Sequence, residues 1–348
     1  MELRSVLALP LRSYLTMRSL GFLAEFQTLS RVVKALPGTS VKMPDQDKET
    51  LEFLLEDVQR LFQEDAENIV GGIYPIEVLK PESITGHFKR LPRLLVDGVK
   101  ASRRKKNKKS KAFGKESQAL LEEMPDYYKR NFHFQTDGYL SKDSAELYEH
   151  QVEMLFLGSA DSMRRMIIQP IKSRLNTKDG EGIKILEIAC GTGKSTQFLK
   201  QAFPKARITA TDISAPYLKI AQKKLKNFNR IDFLETAAEN LPFKDESFDV
   251  VCSTFLFHEL PQEVRREVLR EAARVLRPSG WTMHLDSIQK GDQEEYNEAL
   301  KRFPIDFHEP FYKNYTEDPL DKVLEECGFN VFDQKRGFLS KVIAGQKV

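Results

Sequence analysis

The stretch Lys184–Thr196, KILEIACGTGKST, begins as a short apolar strand, passes through Gly191 and Gly193, and ends on Gly-Lys-Ser. That ending resembles a phosphate-binding loop. Such a loop needs another glycine five residues before Gly193, so that backbone N–H groups can wrap the phosphates. The residue there is Ile188, which belongs to the strand. What remains is a strand running into Gly-x-Gly and a helix, the nucleoside-binding corner of an α/β sheet.

Downstream the chain keeps this rhythm. ARITATD, IDFLETA, FDVVCSTF and GWTMHLDS read as further strands, separated by helical segments such as QEVRREVLREAARVL. Alternation of this kind makes a parallel sheet covered on both faces. The fifth strand follows RPSG, a stop signal for the helix before it. NVFDQ and LSKVIAG come last, too close together for a helical crossover, so they are expected to pair antiparallel.

Upstream, residues 1–98 read as a helical region. Leu51, Leu54, Leu55, Val58, Leu61 and Phe62 fall on one helical face that needs a packing partner. The first segment mixes Arg and Lys with a broad apolar face, a pattern that serves core packing and also suits a membrane surface. Lys100–Lys115 holds nine basic residues and no acidic one, which leaves the rest of a chain of net charge +3 at −6. Residues 99–117 are therefore expected to be a solvated basic linker, with contact to nucleic acid or an anionic membrane as its alternative use. Residues 118–181 form a second helical region, a cap before the core at 182–348. The apolar runs fall far below the roughly 20 residues of a membrane span. MELRSVLALPLRS, with its early Glu and interior Pro and Arg, is a poor secretory signal, so a cytoplasmic protein is expected. Cys190, Cys252 and Cys327 lie far apart in apolar surroundings; neither disulfides nor a metal site is expected.

Four ordered motifs, LEIACGTG, TATDIS, AAENLPFKDESFDVV and RVLRPSG, span the last half of the chain. With them residues 182–345 resemble the class I S-adenosylmethionine-dependent methyltransferases, closest to the subgroup that includes ubiquinone and menaquinone methyltransferases. The resemblance implies a Rossmann-like sheet of seven mostly parallel strands with an antiparallel last strand, and S-adenosylmethionine as cofactor. It places Glu187 towards the cationic end of the cofactor. Gly191 and Gly193 allow close backbone approach. Asp212, 21 residues after Gly191, is where a carboxylate accepts both ribose hydroxyls. Ala238, Glu239 and Ile213 are expected around the adenine; the often acidic position before AENLPF is Ala237 here. The same aspartate could serve NAD, but Thr196 stands where the third glycine of that fingerprint belongs.

Methyl transfer needs an aligned acceptor and, for O–H or N–H groups, a base. His258 after the fourth strand is the candidate base and Asp286 at the end of the fifth a candidate substrate contact; His284, inside that strand, reads as a core residue. Among the aromatics of NFHFQTDGYL, Tyr139, together with Tyr148, is expected near the cofactor, and Phe132, His133 and Phe134 near the substrate. Tyr312, in FHEPFYKNY, extends the substrate wall. These rings point to a small apolar or aromatic acceptor. An RNA or protein methyltransferase using the basic run is the alternative, although no Asn-Pro-Pro-Tyr-like tetrapeptide follows the fourth strand. A cofactor-binding interaction protein without turnover is the third reading.

Overall fold

A computed structural model describes residues 3–39 and 48–348. Seven strands form one sheet: β1 (Lys184–Ile188), β2 (Arg207–Asp212), β3 (Ile231–Glu235), β4 (Phe248–Thr254), β5 (Leu276–Ser287), β6 (Phe329–Gly337) and β7 (Ser340–Lys347). Their order is β3-β2-β1-β4-β5-β7-β6, and β7 runs antiparallel between β5 and β6 while the other pairings are parallel. The order reverses between β1 and β4, and a crevice opens there at the carboxyl ends of the strands. This is the sheet expected from the strand rhythm.

Thirteen α-helices surround it among the described residues. Seven precede the sheet: α1 (Leu3–Ala35), α2 (Lys48–Val70), α3 (Ile84–Lys106), α4 (Lys115–Leu121), α5 (Lys142–Leu155), α6 (Ala160–Arg165) and α7 (Ile168–Leu175). Six are interleaved with it: α8 (Lys194–Ala202), α9 (Ala215–Leu225), α10 (Gln262–Val275), α11 (Asn297–Phe307), α12 (Tyr312–Glu317) and α13 (Leu320–Glu326). Strand side chains alternate between faces. Ile185, Val250 and Met283 pack with α6, α7 and α8, whereas Leu186, Val251 and Ile343 pack with α10 and α13.

The helical N-terminal region is not a separate body. Leu15 of α1, and Val58, Leu61 and Phe62 of α2, are buried in the same apolar cluster as the sheet residues Ile185 and Val342. Leu51 and Leu55, expected on that face, are exposed. A buried ion pair reinforces the junction: Arg165 of α6 donates from Nε to Asp65 of α2 at 2.8 Å, and Tyr74 and Ser162 donate to the same carboxylate.

The basic run also differs from the expected linker. Lys100–Lys106 form the last turns of α3, where Arg104 donates to the Phe134 carbonyl (2.7 Å) and Lys105 pairs with Asp306 (2.9 Å). The loop beyond is tied to the cap, because Ala112 and Gly114 donate backbone N–H groups to Asn131 and Asp137. Hydrogen bonds thus bind residues 99–117 to the segment that covers the crevice, where composition alone had indicated a solvated tether. No described helix is long and apolar enough to cross a membrane.

Candidate functional site

The crevice contains a cavity lined by Ala189 and Gly191 after β1, Asp212 and Ile213 after β2, Ala237, Ala238 and Glu239 after β3, and Phe255, Leu256 and Glu259 after β4. Rings from the cap close it, among them Tyr127, Tyr128, Phe132, Tyr139 and Tyr148. Ala189 and Phe255 hold positive φ (55° and 57°), a strained state for non-glycine residues at two adjacent strand ends that both face the cavity.

The two glycines of the loop do different work. Gly191 (φ +56°) faces the cavity with open space where a Cβ would stand, so its backbone can approach a ligand. Gly193 (φ +80°) does not line the cavity; a Cβ there would come within 2.9 Å of Ala221 and Leu225 on α9. It is needed for helix packing, a correction to its expected place beside the cofactor. The lysine that mimics a phosphate loop is also explained. Lys194 Nζ lies 3.3 Å from Asp161 and 3.8 Å from Glu82, so it fastens the loop to the helical layer.

Asp212 accepts backbone N–H groups from Gly191 at 2.7 Å and Ser214 at 2.8 Å. Each oxygen keeps a lone pair for a ribose hydroxyl. Burial raises its pKa to about 6 against the pull of those two bonds. Glu187 lies beneath the loop, 1% exposed, with Oε2 unpartnered, and burial raises it to about 8. Glu239 takes the Tyr127 hydroxyl at 2.6 Å on one oxygen and has no donor on the other. A ligand with a cationic end, two adjacent hydroxyls and a flat apolar base fits this set: a carboxylate for the cation, Asp212 for the hydroxyls, and Ile213 and Ala238 for the base. The residues therefore suit S-adenosylmethionine.

Behind the opposite wall stands a cluster of ionisable groups. His258 Nδ1 is 2.6 Å from Asp286 Oδ1, and the other Asp286 oxygen accepts the Phe257 N–H at 2.6 Å. Asp286 thus orients His258, and its expected substrate contact is replaced by this buried role. Burial opposes a charged imidazole at His258, but Asp286 outweighs it, and the pKa rises to about 9. His258 Nε2 points to Glu259, 3.9 Å away, and Glu259 Oε1 accepts the Tyr139 hydroxyl at 2.7 Å. The cavity face is therefore Glu259, with His258 one residue behind it. His133 (φ +54°) sits between two carboxylates, Nδ1 2.9 Å from Glu309 but out of line for a hydrogen bond, Nε2 3.5 Å from Glu259. Burial disfavours its charge and Glu309 more than restores it, to a pKa of about 10.

Two groups of described residues, His133–Glu259–Glu309 and Glu25–His87–His150, bring three donor atoms within 4.8 Å of one another. In the first, the ring nitrogens face different carboxylates, as an imidazolium bridge does. In the second, Arg90 donates to His150 Nδ1, which puts the proton on the nitrogen that meets Glu25.

Of the expected substrate residues, Phe132 lines the cavity, Tyr312 packs edge-on to His258 with ring centres 5.9 Å apart, and Phe134 turns away to His308. His284 is a satisfied core residue between Ser253 and Thr282. The sequence reading did not place Tyr127, Tyr128 or Tyr217 in the site; the adjacent tyrosines of PDYY were the available signal.

A family profile described as a methyltransferase domain matches residues 185–280. Among curated relatives, the fatty-acid O-methyltransferase of Mycolicibacterium smegmatis is 32% identical over 43% of this chain and 53% of that protein. The demethylmenaquinone methyltransferase of Thermotoga maritima is 31% identical over 54% of this chain and 85% of that protein. A crystal structure of a SAM dependent methyltransferase from Aquifex aeolicus aligns at 20% identity with a TM-score of 0.42, covering 57% of this chain and 98% of that one. The chain spans about half the length of the first of these relatives. With the strand order, the glycine corner and the Thermotoga relative in agreement, the chain belongs to the class I S-adenosylmethionine-dependent methyltransferases.

Proposed function

We propose that this protein methylates a small apolar or aromatic acceptor through a protic group that meets Glu259 and His258. The observation that carries the reading is the continuity of one cavity, from Gly191 and Asp212 at one end to Glu259, backed by His258–Asp286, at the other. S-adenosylmethionine supplies an electrophilic methyl group on a sulfonium, displaced in line by the acceptor. Gly191, Asp212, Ile213, Ala238 and Glu239 hold it, with Glu187 beneath the loop. Tyr139, Tyr148 and Phe132 exclude water and stack on a flat acceptor. Glu259 takes the acceptor's proton and passes it to the neutral Nε2 of His258 behind it, whose ring is fixed by Asp286. The relatives named for a fatty acid and for demethylmenaquinone fit the apolar class. Nothing favours RNA over an anionic surface as the partner of the basic run, and part of that run is committed to the cap.

Labelled methyl transfer to fatty-acid and quinol acceptors tests the reading. His258→Ala should lower turnover about 10²- to 10⁴-fold for a hydroxyl acceptor and leave cofactor affinity unchanged. Because the imidazole holds its proton up to about pH 9, kcat/KM should climb with pH until that value. Turnover that survives the substitution on a hydroxyl acceptor sinks the assignment. Cofactor binding without transfer to any acceptor supports the non-catalytic reading instead.

A further inference from the structure

α1 is built the wrong way round for a helix that only covers a core. Leu3, Val6, Leu7, Tyr14, Met17 and Leu20 recur at three- and four-residue spacing on one face, and all are exposed, Leu3 and Met17 by more than 70%. Pro10, Gly21 and Ala24 fill the same face, which carries no charge from Leu3 to Ala24, a length of about 32 Å. Among the described residues nothing covers it. A monomer seldom exposes so long an apolar strip without a partner for it.

Charge identifies the partner. α1 holds five Lys or Arg against one acidic residue, and α3 holds eight against one. The two helices run side by side: His87 meets Glu25, and Arg103 donates to the Pro37 carbonyl. Ile84 and Phe88, exposed at the start of α3, rim the same groove as Tyr14. At the far end, Lys106, Lys108 and Lys109 are exposed beyond the contacts that tie Arg104 and Lys105 to the cap. An apolar strip flanked by cationic side chains matches an anionic lipid surface, with side chains in the acyl boundary and lysines at the headgroups. A second copy would bring the same cationic helices against each other.

We propose that the α1 face, with the basic end of α3, docks the protein on an anionic phospholipid bilayer. The proposal does not depend on catalysis, and its test measures binding alone. The full chain is sedimented with vesicles of phosphatidylcholine alone and of equimolar phosphatidylcholine and phosphatidylglycerol. Binding should favour the anionic vesicles and weaken with salt. Met17→Asp or Leu20→Asp should lower partitioning about tenfold or more, since each replaces a buried apolar contact by a charge. Joint reversal of Lys106, Lys108 and Lys109 to Glu should lower it about fivefold for each charge lost. Met17→Gln serves as a milder variant, and unchanged cofactor binding and circular dichroism certify each fold. Absent vesicle binding, binding indifferent to Met17→Asp and Met17→Gln, a dimer that buries the strip in its place, or RNA binding without vesicle binding would each overturn the proposal. Loss of methyl transfer with vesicle binding intact would count against the catalytic reading alone.

Discussion

The sheet and the helical layer on its flank treat apolar residues in opposite ways. In the sheet, β1 and β4 bury almost every side chain, and each helix beside them turns its apolar stripe inward. In the helical layer, α1 buries only Ala8, Leu15 and Val33 and presents a longer apolar stripe outward. Amphipathicity alone therefore does not say which way a helix faces. The layer is held by the apolar cluster it shares with the sheet and by a small number of buried charged contacts, and the latter are the places where the comparison can be tested.

The largest effect is expected at Asp65. Its carboxylate receives Arg165, Tyr74 and Ser162 in a site excluded from water, so Asp65→Ala leaves a buried guanidinium without its partner. Removing one member of such a pair costs about 3–5 kcal/mol. Denaturant unfolding should show that loss in a single transition, since α2 and the sheet share one apolar cluster. An early separate transition for the helices, with the sheet unaffected, would make the layer an independent domain.

The next effect sharpens the contrast between a loop that binds a ligand and one that binds the layer. Lys194→Met removes the cation from Asp161 and Glu82. Stability should fall by about 1–3 kcal/mol, the range for a hydrogen bond to a charged group, while affinity for S-adenosylhomocysteine stays the same. Asp212→Ala should do the reverse and weaken that affinity by about the same amount. A large loss of affinity in Lys194→Met would return the lysine to the ligand.

These contrasts show what the sequence made legible. Local rules wrote the sheet: Gly191 at a turn and Asp212 at a strand end each report their own backbone, so the strand rhythm and the cofactor corner could be read ahead, whereas β5 begins at Leu276 and takes in the Arg-Pro-Ser-Gly read as the stop before it. His284 as a core residue was readable for the same reason. Pairings between distant segments were not. Nothing near Lys194 announces Asp161 or Glu82, and nothing near His258 says that Asp286 will turn its ring rather than meet the substrate. The outward stripe of α1 and the inward stripe of α2 share one period, and only packing tells them apart. Nine basic residues read as a tether because composition does not record that Asn131 and Asp137 lie across the gap.

The smallest effect is one of pH, and it separates the two regions by one carboxyl group. Burial raises Glu187 to about 8, far above the ordinary glutamate value near 4.5. The native state therefore holds a proton that the unfolded chain has already released between those values, and stability falls as pH rises across that window. Asp212, raised to about 6, adds the same sign at lower pH. His133 and His258, raised by their carboxylate partners from the ordinary value of 6.5, contribute fully below that value and lose the contribution as pH climbs through about 10 and about 9, so their loss overlaps the upper part of the Glu187 window. Denaturation of the free protein should show a loss on the order of 1 kcal/mol per pH unit between about pH 6 and about pH 8, and Glu187→Gln should make that slope shallower by the glutamate's share. A bound cation near Glu187 favours the ionised form, so saturation with S-adenosylmethionine should also flatten the slope and should release protons on binding near neutral pH. Calorimetry in buffers of different ionisation enthalpy measures that release. If wild type and Glu187→Gln release the same number of protons, Glu187 does not sense the ligand, and the glycine corner holds its cation elsewhere.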